Sequence, residues 1–376
     1  RSENGLSERL VQLSRLKVGD PLPCDVRDGN GTLLLSRGNT ITSPAQIETL
    51  IRYASSPYAL APALPERNAT PKSPLAMVLG ARRHLQMLFS SPSPQNFPSE
   101  LLQIAADVQK ACRTNADVAL ASILLCRDEP YAIRHSVNVA IASHIAGNAM
   151  QMDEATLVPV VAAALTMNIG MVELQEQLLT LKGRLNDEQR TEVQGHCERS
   201  VAMLRERGVT DEPWLEIVRD HHERPDGSGY PEHKSAQQIG LPTQLVSLAD
   251  VYCARVSERL HRTAMPPNVA LRWLFLNEGA TLNSQYAAMF IKTLGVYPPG
   301  TGVRLQNGSI GVVIHRSSAG HKPRVASITN PDGMRMADPI RHRDDDPEHA
   351  VVEVVDLAEL GLSVNMEGLW GADAIA

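Results

Sequence analysis

The sequence feature that most constrains this chain is a histidine pair followed at once by a glycine-rich loop, between Arg219 and Pro231. The segment reads Arg-Asp-His-His-Glu-Arg-Pro-Asp-Gly-Ser-Gly-Tyr-Pro. Pro225 forces a helix that carries His221 and His222 to end, and the two glycines that follow allow backbone angles that other residues resist. The pattern predicts two imidazoles at the mouth of a tight loop, where metal binding and a purely structural role both remain open.

Composition narrows the class of protein. The chain has 376 residues, of which 43% are hydrophobic, enough for about two or three domains with packed cores. The net charge of -6 argues against a nucleic-acid-binding surface, because proteins that bind phosphate backbones usually carry a basic face. The five cysteines lack Cys-x-x-Cys spacing, so we expect reduced, mostly buried thiols in a cytoplasmic protein. No apolar run reaches the ~20 residues that cross a bilayer, so no membrane partner is expected.

Turn signals and hydrophobic periodicity divide the chain into four segments. Residues 1–53 are predicted to form a small α/β module, and residues 54–74, rich in proline, alanine and serine, a linker. Residues 75–295 show helical periodicity, whereas residues 296–376 carry a hairpin signal and are predicted to form a small β module. Candidate helices are 75–89, two within 101–125, 132–150, 153–167, 187–207, 213–222, 240–259 and 284–294, and candidate strands are 303–305, 311–314, 324–328 and 351–355.

The loop motif resembles that of HD-GYP proteins, a branch of the HD superfamily of metal-dependent phosphohydrolases that typically cleave cyclic di-GMP. It consists here of His221, His222 and Glu223, then Asp226 and Gly227, then Gly229, Tyr230 and Pro231. The resemblance implies a mainly α protein, in which an HD-type helical bundle is flanked by the two small modules. It also implies that the loop from Asp226 to Pro231 is an interaction surface, since in the family this loop is proposed to contact diguanylate cyclase domains.

The same resemblance implies a set of metal ligands on different helices. Their order along the chain matches the family's order. Three or four nitrogen ligands suffice to hold zinc or a similar ion, so we expect one divalent ion, which is zinc, iron or manganese. The implied ligands are His135, His196, His221, His222 and Asp250.

The chain departs from the family at the namesake His-Asp pair. Where the family has His-Asp-Ile-Gly-Lys, this chain has Met167-Asn168-Ile169-Gly170-Met171. The neutral Asn168 is a poor bridge between two cations, and Met167 offers a soft thioether where iron or manganese prefer imidazole. Met171 removes a cation from the place where charge develops in phosphoryl transfer. A dinuclear centre is therefore not expected, and no residue is predicted to be catalytic.

Two arginines extend the resemblance beyond the ligands. Arg259 and Arg262 resemble the arginines of the family's Arg-Pro-Tyr-Arg element, with Leu260-His261 where Pro-Tyr is usual. Guanidinium groups suit bidentate contact with phosphate, which predicts residual binding of a dinucleotide. A surface ion pair with Glu258 is the alternative for them.

These residues together predict a protein that resembles a metal-dependent cyclic-nucleotide phosphodiesterase but is inactive. Its expected role is regulation in cyclic di-GMP signalling, through contact with a diguanylate cyclase-domain protein or through binding of cyclic di-GMP itself. Two alternatives remain open. One is an active phosphodiesterase with an altered metal centre, and the other is a scaffold that binds neither metal nor nucleotide.

Overall fold

The computed structural model describes residues 17–20, 26–27, 33–35, 39–43, 46–47, 72–91, 96–128, 130–179, 185–258, 264–281, 284–316, 322–343 and 345–376. The chain divides into two compact units, Arg1–Lys72 and Ser73–Ala376. Most of the predicted linker, residues 54–74, lies outside the described residues.

The first unit contains a two-stranded antiparallel sheet, formed by β1 (Val26–Arg27) and β2 (Leu33–Leu35). A second backbone pairing joins two separate segments of the same unit. Gly19 N–H donates to the Ile41 carbonyl at 2.9 Å, and Ile41 N–H donates to the Asp20 carbonyl at 3.0 Å. Ile41 is buried and anchors this part of the unit.

The second unit begins with a helical bundle. Two differences from the sequence prediction concern helix boundaries: the helix predicted over 187–207 is broken at Gly195, and the helix predicted over 213–222 ends at Asp220. The helices are α1 (Pro74–Ser90), α2 (Phe97–Thr114), α3 (Ala116–Leu125), α4 (Tyr131–Ala149), α5 (Glu154–Thr166), α6 (Val172–Leu179), α7 (Asp187–Gln194), α8 (His196–Glu206), α9 (Glu212–Asp220), α10 (Leu241–Val256), α11 (Pro267–Thr281) and α12 (Ser284–Leu294).

Helix α4 lies at the centre of the bundle and packs against α5 and α10. Its side chains are buried on nearly every side. Small residues let the neighbouring helices come close: a Cβ added at Gly147 would lie 2.7 Å from a methyl group of Leu157 on α5. Because α4 is enclosed in this way, polar groups that it carries lie inside the protein, and His135 is one of them.

The apolar stretch Glu154–Leu179 joins α5, a 3-10 turn (Ile169–Met171) and α6. By length and composition alone it could cross a membrane, which differs from the sequence expectation that no stretch would. However, 67% of its most apolar window is buried inside the fold. It is therefore accounted for as two helices of the bundle, α5 and α6, that pack against α4.

A β module follows the bundle, and it confirms the predicted fold class. Its strands are β3 (Gly302–Leu305), β4 (Ile310–His315), β5 (Arg324–Thr329), β6 (Arg335–Arg341) and β7 (Val351–Val354), in the antiparallel order β6-β5-β4-β3-β7. Gly308, with φ +90°, forms the predicted hairpin turn between β3 and β4. A short helix α13 (Met366–Trp370) returns to the sheet, where Trp370 Nε1 donates to the Ile314 carbonyl at 2.9 Å.

Candidate metal centre

The centre of the site is a pair of imidazoles whose Nε2 atoms face each other. His196 begins α8, and His221 lies in the turn after α9. The two Nε2 atoms are 3.3 Å apart. Each Nδ1 lies beside a backbone carbonyl, that of Val193 at 2.5 Å and that of Val218 at 2.8 Å, so each Nδ1 carries the ring proton and donates it. Two lone pairs therefore point at one another, an arrangement that a cation between them would stabilise.

Burial keeps both of these rings neutral. Burial, followed by the charge of the neighbouring His221, lowers the pKa of His196 to about 3. Burial also lowers the pKa of His221. Neutral imidazole is the form that binds metal ions, so the pair is ready to act as ligands at neutral pH.

His222 extends the pair into a cluster of three imidazoles. Its ring centroid lies 5.1 Å from that of His196 and 4.1 Å from that of His221. Burial, and then the two neighbouring histidines, lower the pKa of His222 well below its usual value. The Tyr230 ring stacks on His222 with centroids 4.8 Å apart. The tyrosine of the loop therefore covers the cluster.

A second pair joins α4 to α10. His135 Nε2 lies 2.7 Å from Asp250 Oδ1, and both side chains are largely buried. Burial alone would raise the pKa of Asp250, but the hydrogen bond and charge of His135 and the charges of His222 and His221 hold it well below its usual range. The His135 Nδ1 atom is buried without a hydrogen-bond partner among the described residues. Asp250 is thus an ionised carboxylate that is already engaged by His135.

The turn from Met167 to Met171, which the sequence analysis aligns with the family's His-Asp pair, is packed against the first turns of α8. Ser200 Oγ donates to the Met167 carbonyl at 2.9 Å and accepts from Gly170 N–H at 3.0 Å. The Met167 side chain is fully buried in the hydrophobic core, and Asn168 is 5% exposed. No side-chain hydrogen bond of Asn168 is seen within the described part of the chain. The turn is therefore held by its backbone, while its side chains bring neither imidazole nor carboxylate.

Cys197 is a residue near the cluster that the sequence prediction missed. Its Sγ atom lies 3.7 Å from His196 Nε2. Ligand atoms of His196, Cys197 and His221 all lie within 4.8 Å of one another. Burial raises the pKa of the Cys197 thiol. Adjacency to a candidate histidine ligand, rather than Cys-x-x-Cys spacing, was the signal that could have identified it.

The loop after the histidines is held by a buried carboxylate. Glu223 accepts hydrogen bonds from the backbone N–H of Glu232 at 2.5 Å and of Lys234 at 2.9 Å. A Cβ at Gly229 would overlap backbone atoms of Arg224, so only glycine fits there. Glu223 therefore fixes the loop and is not free to act as a ligand or base.

The predicted interaction residues are divided between the interior and the surface. Gly229 is buried and Tyr230 faces His222, whereas Asp226 and Ser228 are exposed at the tip. Asp226 Oδ1 accepts from Ser228 N–H at 3.0 Å, which closes a local turn. Arg259 and Arg262 lie outside the described residues.

The fold and the histidine cluster together define a class of protein. Residues 119–283 match the HD domain family, and this range contains every ligand that the sequence predicted. This part of the chain is therefore similar to an HD domain.

Relatives of this chain place it beside cyclic-dinucleotide phosphodiesterases. It is 26% identical over 210 residues to a cyclic di-GMP phosphodiesterase of Pseudomonas aeruginosa, covering 56% of this chain and 50% of the relative. It is 28% identical over 172 residues to 3'3'-cGAMP-specific phosphodiesterase 3 of Vibrio cholerae, covering 45% of this chain and 36% of the relative. A cyclic di-GMP phosphodiesterase of Thermotoga maritima is 28% identical over 160 residues, which are 42% of this chain and 44% of that protein. The chain thus spans half or less of the length of these relatives.

A solved structure supports the same fold. An HDGYP protein from Bdellovibrio bacteriovorus has a TM-score of 0.51 and 14% sequence identity, and the alignment covers 75% of this chain and 97% of that chain. At this identity the likeness concerns the fold alone. With the HD domain match and the relatives, it confirms the resemblance to HD-GYP proteins.

HD domains are metal-dependent, and the residues present here fit a metal ion. The two facing Nε2 atoms 3.3 Å apart have no proton between them, and the donors around them are nitrogen and sulfur atoms. This donor set suits a transition-metal ion better than magnesium or calcium, which prefer oxygen ligands.

Proposed function

We propose that this protein works in cyclic di-GMP signalling as a binding protein that no longer hydrolyses the nucleotide. The relatives from P. aeruginosa and T. maritima are named for cyclic di-GMP, which supports this nucleotide as the ligand. The observation that carries the loss of hydrolysis is the turn at Met167 and Asn168, where a buried thioether and a neutral amide stand. A cytoplasmic location is part of the proposal.

The charges around the cluster support the loss of hydrolysis. A two-ion phosphodiesterase centre holds its ions ~3.5–4 Å apart and so needs a negative oxygen donor to offset their repulsion. Asp250 is engaged by His135 at 2.7 Å, and Glu223 is held by two backbone N–H groups. Asn168 adds no charge. Among the described residues around the cluster, Glu223 is thus held through both oxygens and Asp250 through Oδ1, which supports a site for one ion rather than two.

A second candidate function is an active phosphodiesterase with an altered metal centre. The retained geometry favours it: His196 and His221 face each other, and the His135–Asp250 pair acts electrostatically on His221. A bound ion could polarise a phosphoryl oxygen and so assist hydrolysis. The chain's own residues would then have to position the phosphodiester without a replacement for the lysine at Met171.

Hydrolysis and binding assays separate these functions. Protein loaded with manganese, iron or nickel is expected to leave cyclic di-GMP intact and to bind it in titration calorimetry. Elemental analysis of the same sample should find a single ion per chain. Turnover that disappears in His221→Ala would establish the second candidate instead. A sample that binds neither nucleotide nor metal would support the scaffold alternative.

The exposed tip of the loop is the surface that we assign to a protein partner, a diguanylate cyclase-domain protein. Since Tyr230 faces His222, the partner would contact Ser228 and its neighbours rather than the tyrosine ring. Ser228→Arg should weaken binding to a purified diguanylate cyclase domain by more than about fivefold. Glu359→Arg, on the exposed surface of the β module, is the matched control. Equal binding by both variants would remove the loop from the interface.

A further inference from the structure

The distances among His196, Cys197 and His221 agree with the coordination shell of a single ion. Zinc–nitrogen bonds of about 2.0–2.1 Å and a zinc–sulfur bond of about 2.3 Å, at tetrahedral angles, separate two nitrogens by about 3.3 Å and a nitrogen from a sulfur by about 3.6 Å. The two Nε2 atoms are 3.3 Å apart, and His196 Nε2 and Cys197 Sγ are 3.7 Å apart. Two of the three donor pairs thus already stand at the spacing that a tetrahedral ion requires, and the third, Cys197 Sγ with the ligand nitrogen of His221, lies within 4.8 Å.

We propose that Cys197 is a metal ligand and that, with His196 and His221, it forms a mononuclear site of zinc type. The inference deepens the proposed function, on which it rests for the replacement of a two-ion centre by a single ion. A thiolate and two imidazoles select zinc over manganese or magnesium, because softer donors favour the borderline ion. The chemistry of the site would therefore change for two reasons: a cysteine is gained as a ligand, and the residues of the His-Asp pair are lost.

The surroundings hold these three donors in place. Carbonyls of Val193 and Val218 fix the orientation of the two imidazoles, as outer-shell partners do in known metal sites. Cys197 is fully buried in the first turn of α8. When the ion binds, the S–H bond breaks, a sulfur–metal bond forms and the proton leaves to solvent. The fourth position is open to His222 or to an exchangeable ligand, since the His222 ring lies 4.1 Å from the His221 ring.

A different account of the same contact is a plain hydrogen bond from the Cys197 thiol to His196 Nε2. That bond would need no ion, and it would leave His221 Nε2 still facing His196 without a proton. The two accounts differ in one observable: only a ligand transfers charge from sulfur to a bound transition metal.

Cobalt substitution tests the proposal directly. The whole chain is stripped with a chelator and titrated with Co²⁺ alone, and absorption is recorded in the near ultraviolet. We expect a thiolate-to-cobalt charge-transfer band that saturates at one ion per chain. Cobalt binding without this band, or no cobalt binding at all, would overturn the proposal on the unsubstituted protein, whatever the variants do.

Variants then assign the band to a residue. Cys197→Ser should abolish the charge-transfer band. It should also weaken zinc binding by more than the 10–100-fold loss that is typical when an outer-shell partner of a metal ligand is substituted. Cys112→Ala, which removes another buried thiol on α2 outside the cluster, should keep both. Loss of the band in Cys112→Ala but not in Cys197→Ser would overturn the assignment. Circular dichroism establishes that each variant is folded.

The outcome is independent of the hydrolysis assay. If the band appears and cyclic di-GMP is also hydrolysed, the proposed loss of activity fails and the thiolate ligand stands. If neither is found, the thiolate ligand fails while the loss of hydrolysis stands.

Discussion

Asp220 is a buried carboxylate just before the histidine pair, and two cations neutralise it. It is 1% exposed. Lys234 Nζ lies 2.6 Å from its Oδ2 atom, and Arg219 Nε lies 3.1 Å from its Oδ1 atom. Lys234 is on the far side of the loop, so this ion pair ties the end of the loop to the end of α9. The loop is thus held by charge as well as by Glu223.

Lys234→Met should destabilise the protein, because it leaves the buried carboxylate of Asp220 with only one cation. We expect a loss of ~3 kcal/mol in the free energy of unfolding, measured with urea. The double variant Asp220→Asn with Lys234→Met should be more stable than Lys234→Met alone. Arg190→Ala, at an exposed ion pair, serves as control and should leave the urea midpoint unchanged. A double variant less stable than the single one would show that the lysine acts through packing.

His144 gives the stability a pH dependence of its own. It is buried on α4 away from the predicted ligands, and burial, followed by the charge of Arg113, lowers its pKa to about 4. The unfolded chain takes up this proton near about pH 6.5, while the folded chain stays neutral. The stabilising contribution is therefore complete above about pH 6.5 and is lost as the pH falls towards about 4.

The free energy of unfolding is expected to fall between about pH 7 and pH 4.5. His144→Gln should make this fall smaller by ~2–3 kcal/mol. Urea unfolding at both pH values in the presence of a chelator measures this difference. His233→Gln, at an exposed position, is the matched control and should keep the pH dependence unchanged. Identical pH profiles for His144→Gln and the unsubstituted protein would mean that His144 takes up its proton in the folded state as well.

At the scale of elements, the turn between α5 and α6 is the place where we propose that the chain departs from a two-ion centre. Ser200 holds the backbone of this turn, so its side chains can change without loss of those hydrogen bonds. Met167→His, Asn168→Asp and Met171→Lys together should raise the metal content above the single ion expected for the parent, because a carboxylate and an imidazole are restored. Elemental analysis measures this, with Met171→Lys alone as control. A triple variant with no more metal than its parent would mean that the lost ligands are wrongly placed.

The helices and strands also show which parts of the fold the sequence patterns predict and which they do not. Helices α4 and α5 and the β3–β4 hairpin were predicted, because apolar periodicity and an Asn-Gly turn are local signals. Helix α11 was missed: Phe275 and Leu276 are 46% and 61% exposed, so its apolar residues do not form one buried face. Strand β6 was missed because it is mostly exposed and has no apolar face. Helix α9 ends one residue before His221, a boundary that tertiary contacts decide.

The candidate site was also predictable only in part, because single residues can be recognised along the sequence but their tertiary contacts cannot. Histidines that match a family motif can be identified one by one, and His196 and His221 do come together. The carbonyls of Val193 and Val218 decide the tautomers of the two histidines. These contacts, and the approach of Cys197 to His196, depend on how α8 packs against α9. No spacing rule along the sequence carries that information.

At the scale of the whole molecule, a charge cluster joins the helical bundle to the β module. Asp117 on α3 is 6% exposed. It accepts a hydrogen bond from Arg316 Nε at 2.7 Å and contacts His315, and Arg316 Nη1 donates to the Thr293 carbonyl at 2.9 Å. The end of β4 is thereby fixed to both α3 and the end of α12.

Asp117→Asn should lower the free energy of unfolding by ~2 kcal/mol, since charge-assisted hydrogen bonds are stronger than neutral ones. Metal stoichiometry should stay the same, because the histidine cluster lies on other helices. Thermal unfolding and elemental analysis check the two parts. Arg304→Gln, at an exposed ion pair within the β module, is the control and should change neither. Loss of metal from Asp117→Asn would mean that the contact between the helical bundle and the β module also affects the histidine cluster.

The carbonyls behind His196 and His221 have a consequence for how ions are captured. Each ring is oriented, and its proton assigned, when the chain folds. The entropic cost of arranging the donors is therefore met before an ion arrives, which is what preorganisation means for affinity. An incoming ion then finds its coordination angles already set, and the selectivity for one metal over another becomes a property of the folded backbone.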